Sequence, residues 1–193
     1  MLTSQRNHEA NNIAHLSNVR PLNSLHPPRR VSSAPAEPPL LDRAQFSAVV
    51  ANAPLVAFDL IVEDPQGAIL LGMRSNPPAR GYWFTPGGRI RKHEGLEAAF
   101  ARITRDELGH EFARADCDFL DVCEHHYDTN FLGEPGATTH YIVLVHRLRT
   151  HRELLRLPTS QHSHYTWMQP GLLRRHPQVH PYVQAYFPES EQV

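Results

Sequence analysis

The stretch GGRIRKHEGLEAAFARITRDELGH, Gly87 to His110, decides the fold. Two glycines open it, the acidic pair Asp106 and Glu107 comes near its end, and Gly109 follows. Read as a helix from Glu94 to Leu108 at about 100° per residue, it sets Leu96, Phe100, Ile103 and Glu107 on one face. A carboxylate therefore closes an apolar stripe. Charge on that line is costly without a partner, and two partners fit. One is a divalent cation shared with carbonyls of the glycine turn, which Asp106 also reaches directly or through water; the other is an arginine such as Arg74 or Arg89.

Working outward, LLDRAQFSAVVANAP (40–54) spaces Leu41, Phe46, Val49 and Val50 as a helix, with Asp42 as its cap and Pro54 as its stop. LVAFDLIV (55–62) and AILLGMR (68–74), joined by the turn EDPQG, read as a hairpin in a buried sheet. Past the helix, strands are expected near 119–127, 140–148 and 165–168, and short helices near 170–175 and 179–187. Strands on both sides of one central helix, plus a closing helix, predict an α/β sandwich.

The chain has 193 residues with 40% hydrophobic content, enough for one core. A formal net charge of −1 gives no electrostatic footprint for nucleic acid, so an anionic ligand needs a few placed cations. Two cysteines, Cys117 and Cys123, are too few for a disulfide framework, and no apolar run is long enough to span a bilayer. The expected setting is cytoplasmic, without a membrane partner. Residues 1–39, rich in Asn, Ser, Arg and Pro, read as a disordered extension, and residues 40–193 as the folded domain.

In the opening stretch, Gly88, Glu94, Arg102, Glu107 and Gly109 match in register the signature of the Nudix hydrolases, and Asp106 matches conservatively. Ile103 stands where that signature has its first core glutamate, and His110 where it ends on an apolar residue. The strings PLVAFDLIVE, LLGMR, GYWFTPGGR, HHYDTNF, TTHY and QHSHYTW follow in the order in which the GDP-mannose mannosyl hydrolase branch of that superfamily carries similar ones. The likeness runs from about Leu41 to Phe187. It implies the Nudix fold, an α/β/α sandwich with a mixed sheet, and a homodimer dependent on Mg²⁺, with Mn²⁺ as a substitute. The implied reaction hydrolyses a GDP-hexose to GDP and free sugar by attack at the anomeric carbon.

By this resemblance Glu107, the Gly87 carbonyl and Gln161 correspond to metal ligands, an oxygen set suited to a hard cation. Alone, Gln161 reads as an exposed loop amide. His162 corresponds to the general base, with His164 beside it able to share the role. Arg74 and Arg89 correspond to the cations on the diphosphate, where a planar guanidinium fits. Asp59, in an apolar strand, needs a partner or ligand, and with His125 and Tyr141 it corresponds to substrate contacts. Tyr82 and Trp83 fall in the stretch expected to shape the site.

Ordinary Nudix cleavage at phosphorus wants the glutamate that Ile103 replaces. A silent nucleotide-sugar-binding module predicts loss of Glu107, His162 or both arginines, and all are present. A zinc site from His125, His126, His162 and His164 lacks any recognised ligand spacing.

Overall fold

The computed structural model describes residues 41–131, 133, 136–159 and 162–188. The expected extension 1–39 lies outside them. The elements run α1 (Arg43–Asn52), β1 (Leu55–Glu63), β2 (Ile69–Arg74), β3 (Trp83–Phe84), β4 (Gly87–Arg89), α2 (Leu96–Leu108), β5 (Asp118–Tyr127), β6 (Thr139–Arg149), β7 (His162–Met168), α3 (Pro170–Leu173) and α4 (Pro181–Ala185).

All seven strands form one mixed sheet. β1 lies parallel to β6 along its whole length, from Leu55 opposite Tyr141 to Glu63 opposite Arg149, and β5 pairs antiparallel on the far side of β6. The expected hairpin is only partly formed. β1 and β2 pair at Glu63 and Ile69 beside the turn, while the start of β1 takes β4 as its antiparallel partner, Asp59 opposite Gly87. β2 pairs instead with β3 and β7. The physical reason is that β4 supplies its own ladder, flanked by Leu60 N–H donating to Pro86 O and Ile90 N–H to Val56 O, both 2.9 Å.

Alternation along β1 builds two cores. Phe58, Leu60 and Val62 pack with Phe100, Ile103 and Leu108 of α2. Ile61 packs with Val143 and Val145 of β6 and with Leu173, Val179 and Val183 from the C-terminal segment. Each fully buried Leu, Ile or Phe is worth about 1.5 to 3 kcal/mol relative to exposure. The helix α2 begins at Leu96, with Gly95 as N-cap, two residues later than the spacing suggests. Glu94 stays outside it because its carboxylate takes the Arg91 N–H (2.9 Å) and the Arg102 guanidinium (2.6 and 2.8 Å). The far end stops at Gly109, φ 66°, where a Cβ would strike the Arg156 carbonyl. On the predicted stripe Phe100, Ile103 and Glu107 are buried, whereas Leu96 is exposed. In α1, Asp42 and Gln45 form the expected cap, and only Val50 is buried.

Candidate active site

Along β1, Asp59 shares a face with Ile61, so it projects toward the side of the sheet covered by the C-terminal segment. Across this face, register brings the sequence-distant candidates together: Leu55 of β1 pairs with Tyr141, and Tyr141 with His125. A cleft of about 430 Å³ opens there, lined among others by Asp59, Arg74, Gly87, Arg89, Glu107, His125 and Tyr141. These are seven of the nine residues expected from the sequence. Ile103, Asp106, Phe46 and Tyr127 line the same cleft.

The other two fall differently. Gln161 lies outside the described residues. His162, the first residue of β7, is absent from the lining and 1% exposed. The β2–β7 ladder sets it opposite Arg74, and its Nε2 lies 3.4 Å from Oε2 of Glu107. Neither ring nitrogen makes a hydrogen bond among the described residues. Glu107, itself buried, thus meets a histidine rather than being explained solely by an arginine. His164 is exposed, its Nδ1 3.1 Å from Ser163 Oγ. Tyr82 and Trp83 do not line the cleft; Trp83 packs against the core and Phe84 takes the lining position. The four-histidine zinc grouping is not formed, since His125 and His126 alternate to opposite faces of β5.

Tyr186 bridges two residues of the cleft lining: its hydroxyl donates to Asp59 Oδ2 (2.7 Å) and lies 3.0 Å from His125 Nε2. With its proton committed to the carboxylate, the Tyr186 oxygen accepts from His125, which assigns the Nε2–H tautomer. Burial pushes the Asp59 carboxyl up to about 6, against the Tyr186 hydrogen bond and the Arg74 charge that pull it down. Burial, helped by the nearby charges of His180 and His126, lowers His125 to about 4, so its ring is neutral at physiological pH. It stacks on Tyr182, centroids 4.1 Å apart and planes 4° from parallel. His125 is therefore a hydrogen-bonding group and not a cation for phosphate.

The cations are the arginines. The Arg89 guanidinium sits 3.8 Å over the Phe46 ring, and burial lowers its basicity from an ordinary arginine's. Arg102 faces inward differently: besides Glu94 it donates to the Arg89 carbonyl at 2.8 Å, so this pair ties α2 to the loop behind β4. Burial pushes the Tyr141 hydroxyl up, while the charges of Arg89 and Arg74 pull the other way. Asp106 is half exposed, 3.6 Å from Arg102. Glu107 offers a hard divalent ion a buried carboxylate in the same cleft as Gly87 and Gly88, next to an imidazole that makes no hydrogen bond among the described residues. Sequence reasoning missed Tyr186 and Phe46. Tyr127 did carry a signal, two residues from His125 on the same strand face.

The NUDIX domain family matches residues 53–187. The chain belongs to the Nudix family. The low-salt glycan biosynthesis protein Agl8 of Haloferax volcanii is 37% identical to it over 141 residues, 73% of this chain and 87% of that protein. A MutT Nudix hydrolase from Burkholderia pseudomallei superposes with a TM-score of 0.53 at 24% identity, over 70% of this chain and 95% of that one. The Nudix domain of Shewanella oneidensis NrtR, solved with ADP-ribose, gives 0.52 at 18% identity, over 75% and 94%. At such identities the superpositions speak for the fold alone. Nudix enzymes generally use divalent metals. Among the described residues no helix is long and apolar enough to cross a membrane.

Proposed function

We propose that this Nudix hydrolase cleaves GDP-mannose or a related GDP-hexose to GDP and free sugar, water attacking the anomeric carbon with inversion. One observation carries the reading. At the signature position for a core glutamate, Ile103 is 1% exposed and fills the space under Gly88, while His162 comes from a different strand to stand against Glu107. An isoleucine neither binds a metal nor activates water near phosphorus. A histidine at the end of a strand can take the proton of a water elsewhere in the cleft.

In this reading Glu107, the Gly87 carbonyl and Gln161 would hold Mg²⁺, with Mn²⁺ as a substitute, and the bound ion would supply positive charge to the diphosphate leaving group. Arg74 and Arg89 grip the same diphosphate with forked donors. Asp59 accepts from a sugar hydroxyl, and neutral His125, tied to it through Tyr186, orients that hydroxyl with Tyr141. His162 takes a proton from water as the new C–O bond forms and the anomeric bond to the diphosphate breaks, its electron pair leaving with GDP. The role requires the His162 ring, buried here against Glu107, to reach water in the cleft. The relative named as a glycan biosynthesis protein fits a substrate that carries a sugar. The reading also implies a homodimer in the cytoplasm, the oligomer being checked by light scattering on the full chain.

The test is hydrolysis in ¹⁸O-water with Mg²⁺. Label in the free sugar, and β-mannose released from an α-linked substrate, are the expected results. Label in the phosphate, or a sugar phosphate product, assigns ordinary attack at phosphorus instead.

A further inference from the structure

Away from the cleft, another group of ligating side chains comes together. Glu124 and His126 are two residues apart on β5 and share the face opposite to His125. His140 on β6 is the direct cross-strand partner of His126. The two rings stack with centroids 4.2 Å apart and planes 22° from parallel. His126 Nε2 lies 3.7 Å from Glu124 Oε2. One ligand atom from each of the three residues lies within 4.8 Å of the others.

Glu124 and His126 are exposed, and His140 is half-buried. The His140 Nε2 is shielded from solvent and makes no hydrogen bond among the described residues. A shielded ring nitrogen without a partner is costly, and an ion that takes its lone pair removes that cost. Two imidazoles with one carboxylate form the donor set of a borderline divalent ion and a poor one for Mg²⁺, which prefers oxygen. A shift of the stacked rings by part of their width turns three atoms already 4.8 Å or less apart onto a common point. Because neighbouring strands are hydrogen-bonded at this level, the ion would clamp β5 to β6.

We infer that Glu124, His126 and His140 form a second metal site, for Zn²⁺ or an ion of similar softness, distinct from the oxygen site at Glu107. The site also bears on the cleft. The Tyr182 hydroxyl bonds both the His126 N–H (2.8 Å) and its carbonyl (2.7 Å), and the same ring stacks on His125. An ion on His126 therefore stiffens the strand segment whose other face carries His125 into the cleft.

The experiment uses the full chain in excess Mg²⁺. Zn²⁺ binding is followed by calorimetry, and Co²⁺ binding by its visible absorption, which reports imidazole ligation. The parent is expected to bind one ion at the site with a rise in Tm. His126→Ala and His140→Ala should each weaken binding by at least the roughly 10- to 100-fold that loss of an outer-shell partner costs a metal site. Glu107→Gln should leave this binding unchanged. Absence of Zn²⁺ binding by the parent, superimposable isotherms for parent and His126→Ala, or loss of binding in Glu107→Gln would each overturn the assignment. His126 is exposed, so its replacement keeps the test valid even where His140→Ala disturbs folding.

Discussion

Gly72 of β2 lies directly against the imidazole of His162: a Cβ added to Gly72 would collide with Nδ1, Cγ and Cε1 of that ring. The two residues are brought together by the β2–β7 ladder, whose register shifts between Gly72 and Arg74. A glycine here is a requirement of the neighbouring ring, since its own backbone is an ordinary strand. Gly72→Ala is therefore expected to push His162 off Glu107. The stability cost should be about 1 to 3 kcal/mol, as for other overpacked sites, and kcat should fall toward that of His162→Gln, about 10²- to 10⁴-fold below the parent. Thermal unfolding and steady-state kinetics check the two effects separately. A Gly72→Ala enzyme with full kcat would show that His162 does not need its position.

Glu107→Gln keeps the shape of the buried side chain and removes its charge. If the carboxylate anchors the catalytic cation, activity should fall by orders of magnitude and Mn²⁺ should bind more weakly, while the fold survives. Chelation of the parent with EDTA should abolish activity, and added Mg²⁺ should restore it. Manganese titration by electron paramagnetic resonance measures the binding directly. Unchanged titration curves would leave Glu107 with only a structural pairing to His162.

Much of this arrangement was legible in the sequence where punctuation and period agreed. Pro54 and the turn Glu63–Gly67 bounded β1, and Gly109 stopped α2, because each of these residues has a backbone reason to stand where it does. The start of α2 was misread because Glu94 continues a helical pattern, yet its side chain is committed to Arg102 and the Arg91 amide. The splayed hairpin was hidden because β4 is three residues, two of them glycine, and carries no period. Asp59, Arg74, Arg89 and His125, singled out from motif strings, all line the cleft. Tyr186 and Phe46 were not, since tertiary packing alone brings Phe46 to the cleft and Tyr186 to Asp59, the latter across 127 residues of chain.

The Asp59–Tyr186–His125 group predicts a pH dependence with a definite sign. The folded carboxyl titrates near 6 and the unfolded one near 3.8, so the folded state holds the proton more tightly. Stability therefore falls as pH rises from about 4 to about 6 and is level above that, as far as this group is concerned. Activity runs the other way if ionised Asp59 accepts from the sugar: kcat/KM should drop as pH falls through about 6. Tyr186→Phe removes a hydrogen bond that favours the carboxylate, so the acid limb should move to higher pH. Asp59→Asn should lower the plateau and remove from the acid limb the step that titrates with Asp59, leaving only that of the general base. Coincident limbs in the parent and Tyr186→Phe would disconnect the relay from binding.

Arg89 lies with its guanidinium 3.8 Å over Phe46, and Phe46 in turn packs on Phe131 with centroids 4.4 Å apart. An aromatic face under a planar cation fixes the plane and leaves its N–H edge free to point into the cleft, which suits a forked grip on phosphate oxygens. Lysine keeps the charge but has neither the plane nor the fork. Arg89→Lys should thus lower kcat/KM by about 1 to 3 kcal/mol, whereas Phe46→Leu, which removes only the face, should cost about 0.5 to 1 kcal/mol. If the ring acts by orienting the guanidinium, the double variant should lose less than the sum of the two, since a lysine has little left to orient. The cycle is measured in kcat/KM for GDP-mannose with Mg²⁺ saturating. Strictly additive losses would make Phe46 an independent wall of the cleft, and an Arg89→Lys enzyme as active as the parent would remove Arg89 from the diphosphate altogether.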